Sequence, residues 1–271
     1  MRNICVILLS LLHGLYLSGQ EYKVPMSSGL VSIIGVDEIV VEGYDGKEII
    51  VTAPNREKQK DKKAEGLRVL SGNGLIDNSG LGLSIKEENG QLTIQQVSRK
   101  WDHEEYLLRL PRSMDVLLEH SSATGSDIII GNMIGEIEVS VNYNNVYLEG
   151  IYGPSAIKTV YGEIEAEFDK LAQNGSHSFY SVYGNVDVSL PKGAQANVEL
   201  QTDYGSLYTN LDLDLNTGNI DHDTKDSDDH HHHHHNNCNN STSEFIDGKL
   251  NGGGVDLILK SNYENIYLRE N

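Results

Sequence analysis

The sequence predicts an all-β protein, a parallel β-solenoid of the single-stranded β-helix kind. Three observations predict it. Apolar and polar residues alternate over short runs, a Tyr-Gly turn unit recurs at intervals of 22 and 21 residues, and those runs lack the apolar spacing of helices. An antiparallel β-sandwich is the alternative, because strands placed about every 8–12 residues suit that fold as well.

The alternation is plainest in Glu163-Ile164-Glu165-Ala166-Glu167-Phe168, in Asn185-Val186-Asp187-Val188-Ser189-Leu190 and in Leu211-Asp212-Leu213-Asp214-Leu215. A period of two sends one row of side chains inward and the other outward. Ile164, Phe168, Val186, Val188, Leu207 and Ile266 are therefore expected in one continuous core. Glu163, Glu165, Asp187, Asp212 and Asp214 are expected in solvent.

Residues 1–19 read as a signal peptide. Arg2 gives a positive start, Ile4 to Leu17 is an apolar run, and Ser18-Gly19 is a small-residue cleavage site. The run is shorter than the roughly 20 residues that span a bilayer, so no membrane span is expected after removal of the signal. Residues 20–110 form an N-terminal β region. Within it, Val31 to Thr52 reads as two strands and Arg56 to Glu65 as a charged loop. Leu81 to Val97 reads as a hairpin turning at Asn89-Gly90, and Glu105 to Leu110 as a strand stopped by Pro111.

Residues 111–215 carry the repeat. It appears at Met133-Ile134-Gly135, Val160-Tyr161-Gly162, Val182-Tyr183-Gly184, Asp203-Tyr204-Gly205 and, in modified form, Asn262-Tyr263-Glu264. One such unit cannot bury its own apolar row, but stacked units share a core. The glycines are expected where the chain turns with positive φ. Tyr161, Tyr183 and Tyr204 are expected on successive coils about 4.8 Å apart, at a phase of the repeat that Tyr143 and Tyr263 can share. Their stacked rings are read as stabilising the coil, the alternative being a strip that binds sugar or peptide. Residues 216–247 contain Asp226-Ser227-Asp228-Asp229, the run His230 to His235 and Cys238, with almost nothing to bury. They read as a disordered acidic, histidine-rich insertion. Residues 248–271 return to strand pattern as a C-terminal β-repeat coil.

Charge and cysteine content exclude several functions. With 21 basic and 40 acidic residues the chain carries −19, and loss of Arg2 with the signal leaves −20. Such a surface repels phosphate backbones, so no nucleic-acid partner is expected. Cys5 lies in the signal, which leaves Cys238 alone and excludes an internal disulfide.

No catalytic, cofactor-binding or metal-ligating residue is assigned, and no cofactor is expected. The histidine run lacks the fixed geometry of a metal site and offers weak binding at most. Gly252-Gly253-Gly254-Val255-Asp256 spaces its aspartate wrongly for a secreted calcium repeat. Paired acids such as Glu163 with Glu165 would lie about 7 Å apart on a strand, inside the range of an inverting glycosidase. They also arise in any acidic protein with alternating strands. Ser121, Ser122, His103, His120 and His177 belong to no nucleophile motif.

The signal segment, Ile39-Val40-Val41-Glu42-Gly43-Tyr44-Asp45-Gly46, Leu110-Pro111, the Tyr-Gly units and the ending Gly252-Gly253-Gly254-Val255 to Leu268-Arg269 together resemble a known family. Its members are exported bacterial adhesin-like proteins with β-strand repeats, largely described as a domain of unknown function. The resemblance implies a β-helix-like stack at the cell envelope and supplies no catalytic residues. The expected function is a non-enzymatic cell-envelope adhesin-like binding or structural module. It would be exported to the periplasm, the outer membrane or the exterior, and bind a surface or envelope ligand, protein or glycan. The alternatives are a solenoid enzyme acting on polysaccharides, which a groove with converging carboxylates and a basic residue would mark, and weak metal binding through the histidine-rich insertion.

Overall fold

The computed structural model describes residues 20–53, 63, 66–97, 105–121, 126–216 and 243–271. The expected signal peptide, most of the charged loop at 56–65, His103, Ser122, the histidine run and Cys238 lie outside the described residues.

Every regular element among them is a β-strand. In chain order the strands are β1 (Gln20–Val24), β2 (Leu30–Ile34), β3 (Glu38–Tyr44), β4 (Ile49–Ala53), β5 (Leu83–Glu88), β6 (Gln91–Gln96) and β7 (Glu105–Pro111). Then come β8 (Asp115–His120), β9 (Ile128–Gly131), β10 (Ile137–Val141), β11 (Val146–Ile151), β12 (Ser155–Thr159), β13 (Ile164–Phe168) and β14 (His177–Ser181). The last are β15 (Val186–Leu190), β16 (Ala196–Thr202), β17 (Leu207–Thr209), β18 (Leu213–Leu215), β19 (Glu244–Leu250), β20 (Val255–Ser261) and β21 (Ile266–Glu270).

They form two sheets. Sheet A runs β1-β4-β7-β3-β9-β11-β13-β15-β21-β17 and sheet B runs β18-β19-β16-β20-β14-β12-β10-β8-β2-β6-β5. Each coil is one sheet-B strand, a corner and one sheet-A strand, as in β12–β13 and β14–β15. Neighbouring coils pair parallel throughout, from β2 with β6 and β8 to β16 with β20. Antiparallel pairs join the end strands β1, β4, β5, β18 and β19. This is a β-solenoid, and the sandwich alternative falls.

The spatial order of coils is not the chain order. The β2–β3 coil lies between β6–β7 and β8–β9, and the β20–β21 coil lies between β14–β15 and β16–β17. The parallel stack thus includes the N-terminal region rather than beginning at residue 111. Val31 to Thr52 holds three strands, because Gly35 turns at φ 62° between β2 and β3. The hairpin at Asn89-Gly90 is as expected, both residues having positive φ. Residues 244–247, expected within the insertion, belong to β19.

The core fills the space between the sheets. Ile164, Phe168, Val186, Val188 and Ile266 are buried there, as alternation requires. Leu207 is only half-buried, because β17 ends sheet A among the described residues and no described coil covers it. Glu163, Glu165, Asp212 and Asp214 are exposed, while Asp187 is half-buried and accepts a 2.6 Å hydrogen bond from Arg269.

The B-to-A corners share a device that the sequence reading missed: a Ser or Thr two residues before each of Tyr161, Tyr183, Tyr204 and Tyr263. Thr159 Oγ1 donates to the Asn144 carbonyl (3.0 Å) and accepts from Gly162 N–H (3.2 Å). Ser181 repeats this with Gly162 and Gly184, Ser261 with Gly184 and Glu264, and Thr202 with Glu264 and Gly205. Each hydroxyl satisfies a carbonyl of the neighbouring coil and an amide of its own corner, and at Thr159 and Ser181 both bonds are buried.

The glycines of these corners do not have positive φ. They are there for room: a Cβ on Gly162 would lie 1.8 Å from the Asn144 carbonyl oxygen, and one on Gly184 2.0 Å from that of Gly162. Ile134-Gly135 sits at the opposite, A-to-B corner, so the true early member of the tyrosine series is Tyr143.

Both histidines among the described residues are internal. His120 lies between Asn144 Oδ1 and Asp37 Oδ1, each 3.1 Å away. His177 packs edge-on against Phe168, its Nε2 reaches the Ala172 carbonyl, and its Nδ1 has no hydrogen-bond partner among the described residues. Burial, partly offset by that carbonyl, holds the His177 ring below the usual imidazole range. The unfolded chain takes up a proton below about pH 6.5 that the folded chain refuses, so stability should fall as pH drops through that range. The slope is about 1.4 kcal/mol per pH unit at most. His177→Leu should remove this slope between about pH 6.5 and 5, read from melting temperatures.

Candidate functional site

Parallel register aligns outward side chains into rows that cross sheet A. One row is Tyr147, Glu165, Asp187, Tyr267 and Tyr208, on β11, β13, β15, β21 and β17. A neighbouring row brings Glu167, Ser189 and Arg269 beside it. Toward the β17 end these rows frame a shallow, solvent-open hollow of about 700 Å³. Its lining includes Glu165, Glu167, Tyr208, Asn210, Tyr267 and Arg269.

The hollow's groups are held in place. Tyr208 stacks on Tyr267 at 5.2 Å, and the Arg269 guanidinium lies 5.5 Å over the Tyr267 ring while bonding Asp187. Asn265 Nδ2 donates to the Tyr267 hydroxyl, and Asn210 Oδ1 accepts from Glu270 N–H. Arg269 was not singled out in the sequence. Its only signal is its place in β21, four residues after the turn Glu264-Asn265.

Negative charge is crowded along the face. Burial raises the Glu165 carboxyl above the usual carboxylate range, and Asp187 and Glu163 push it further up against the pull of Arg269. Burial and then Glu167 raise Glu149. Burial, Asp127 and Glu163 raise the Tyr147 hydroxyl, which also donates to Glu163 Oε1. A raised folded-state pKa means stability fully present below the unfolded carboxylate range and lost as pH climbs through the folded value. Glu165→Gln should therefore melt higher than the native protein at pH 7 and nearly equal to it at about pH 4. An exposed group of this kind contributes about 0.5 kcal/mol, less in high salt. This trend opposes that of His177, and the two variants separate them.

The second candidate surface is the tyrosine series. The rings stack in the order Tyr143, Tyr161, Tyr183, Tyr263, Tyr204 at 4.9, 5.0, 4.7 and 5.1 Å, within 11° of parallel. The expected spacing holds, but Tyr183 and Tyr204 are not on successive coils. Tyr263 of the inserted β20–β21 coil lies between them. Ring faces within the stack are covered, so the ladder presents edges and hydroxyls rather than platforms for sugar rings. Neighbouring Tyr183, burial and Tyr204 push the Tyr263 hydroxyl up.

The other singled-out residues do not converge. His120 and His177 are buried in the solenoid, whereas Ser121 is exposed. Asp256 accepts a hydrogen bond from Asn197. Among the described residues no three His, Cys, Asp or Glu side chains gather as metal ligands would, and no helix is long and apolar enough to cross a membrane.

The family model described as Toastrack DUF4097 matches residues 26–247, from just after β1 into β19. This chain belongs to that family. The Toastrack match stops before β20–β21, the coil that inserts into the stack. Two solved structures are similar to this Toastrack chain. One is a proposed cell adhesion protein from Clostridium sporogenes ATCC 15579, with 11% identity over 93% of this chain and 100% of that one, at a TM-score of 0.46. The other is a proposed adhesin from Bacteroides fragilis NCTC 9343, with 10% identity over 93% and 96%, at a TM-score of 0.28. No curated protein matches the chain.

Proposed function

We propose that the protein is a non-enzymatic, adhesin-like binding or structural module of the cell envelope. Residues 1–19 direct its export, and the outer face of sheet A holds a protein or glycan ligand. The hollow carries this reading: stacked tyrosines, an amide, carboxylates and a guanidinium project from hydrogen-bonded strands that need not move to meet a ligand. The same converging carboxylates and Arg269 favour the polysaccharide-acting alternative. Against it, Arg269 is already engaged by Asp187, and the hollow is open to water rather than closed around a reacting bond.

The test is binding of the purified protein to a panel of envelope polysaccharides and matrix proteins, alongside an assay for newly released sugar ends. Tyr208→Ala and Arg269→Gln should each weaken binding about tenfold or more with the melting curve retained. Binding that ignores both changes defeats the proposed face. Sugar release abolished by Glu165→Gln defeats the non-enzymatic reading. Finding the protein in the cytoplasm with Met1 intact defeats the envelope location.

A further inference from the structure

The two poles of the solenoid are finished differently. At the β6–β7 pole, β4 and β1 extend sheet A and β5 extends sheet B. The apolar residues there are covered: Val24, Ile49, Val51, Leu83 and Ile85 are all buried. At the β16–β17 pole, among the described residues, only sheet B is extended. β19 and β18 carry it on by two strands, while sheet A stops at β17.

The result is a step two strands deep with an apolar wall. Register with buried Ala196, Val198 and Leu200 gives β18 and β19 an inner face made by Leu213, Leu215, Ile246, Gly248 and Leu250. Leu250 reaches the core, Leu213 and Ile246 are half-buried, and Leu215 is 47% exposed. No strand of sheet A lies opposite them among the described residues. On the floor of the step, Tyr208 and Tyr204 stack on Tyr267 and Tyr263 on one side and on no ring of the described residues on the other.

We propose that this step is a homodimer interface. A second copy, turned about a two-fold axis parallel to the strands, sets its β18–β19 overhang beyond the first copy's β17 and receives the first copy's overhang in return. The shape is self-complementary because overhang and notch are both two strands deep, as an isologous contact requires. The strands that meet, β17 and β18, are both three residues long. Their directions also suit pairing. β18 is antiparallel to β19 and β19 to β16, so β18 runs with the sheet-B strands and against β17. The two-fold axis preserves that direction, and β17 pairs antiparallel with the second copy's β18. Sheet A of each copy then continues into sheet B of the other, and Leu213, Leu215 and Ile246 of the two copies face one another in a shared core.

Residues 217–242 of the same chain are a poor substitute for the second copy. Ile220 is the only large aliphatic or aromatic residue in that segment, which leaves no alternating apolar row to place against the wall. Asp203, Asp212 and Asp214 surround the step on both copies, so added salt should strengthen the dimer by screening their repulsion.

The test is sedimentation of the purified full chain across a concentration series at about 0.1 M and about 0.5 M salt. A dimer tighter at high salt is expected. Leu215 is exposed and lies outside the hollow on sheet A. Leu215→Arg should therefore weaken the dimer about tenfold or more with melting unchanged, and Phe245→Ser, on the outer side of β19, should not. A monomer at every concentration, or a Leu215→Arg protein that dimerises as tightly as the native chain, overturns the proposal. Should Leu215→Arg melt early, hydrogen exchange on the unaltered protein decides. Amides of 207–209 and 213–215 should slow as concentration rises, and exchange independent of concentration overturns the proposal. Replacing 217–242 by a short Gly-Ser linker should leave the dimer in place, and loss of the dimer would assign the contact to that segment instead.

Discussion

Val186→Asp is expected to cost about 5 kcal/mol, enough to unfold much of the protein, since domains are stable by about 5–15 kcal/mol. Val186 is fully buried on β15, between β13 on one side and β21 on the other. A carboxylate placed there meets Ile164, Ile266 and the inner face of sheet B. It must either remain ionised without a partner or take up a proton, and both are costly. The neighbouring substitution is the control. Asp187→Val loses a bond to Arg269 on a half-exposed face and should cost under about 1 kcal/mol. Urea melts followed by circular dichroism give both numbers. Equal effects at 186 and 187 would mean that the facing of β15 is wrong.

Gly162→Val should be nearly as damaging, at about 3 kcal/mol or more. The added carbon would lie 1.8 Å from the Asn144 carbonyl oxygen and 2.4 Å from its carbon. That carbonyl is fixed by Thr159 and cannot retreat without opening the coil-to-coil spacing. Gly193→Ala separates room from backbone conformation. Gly193 has φ 76° and open space around its α-carbon, so its substitution should cost about 1 kcal/mol. If Gly162→Val melts like Gly193→Ala, close approach is not what Gly162 provides. The Tyr263 corner, which carries Glu264 in the glycine's place, shows that a corner can be built around a side chain. The one at 162 is built around a hydrogen.

Facing was legible in the sequence wherever a strand has neighbours on both sides. Glu163 to Phe168 alternates as read, because a one-residue slip would turn Ile164 and Phe168 outward together. Burial was not legible at the pole. Leu207 faces inward as alternation demands, but its cover depends on whether another coil follows, and no local pattern records that. Coil order was illegible for a similar reason. Tyr204 and Tyr263 sit in equivalent corners, and a parallel edge accepts either, so the 21-residue step from Tyr183 to Tyr204 suggested adjacency that the fold gives to Tyr263. The tyrosine-glycine units were found, but their glycines were given the wrong reason, because a close contact with another coil leaves no mark on the local sequence. The hollow was beyond reach altogether. It assembles Glu165, Tyr208 and Arg269 from three coils whose spatial order the sequence does not state.

The β20–β21 coil is made after both of the coils it lies between. A simple solenoid can grow as it emerges, each new turn docking on a finished one. Here β14–β15 and β16–β17 must stay one coil apart until residues 255–270 arrive as a wedge between them. The closing contacts are distant in sequence: Ser261 bonds Gly184 across 77 residues. Such late, non-local closure slows folding. It also leaves two open parallel edges on any chain halted before β20, each ready to pair with the wrong strand. Quality control of this protein therefore rests on residues 255–270, and a chain ended before Val255 should produce aggregates rather than a shorter solenoid.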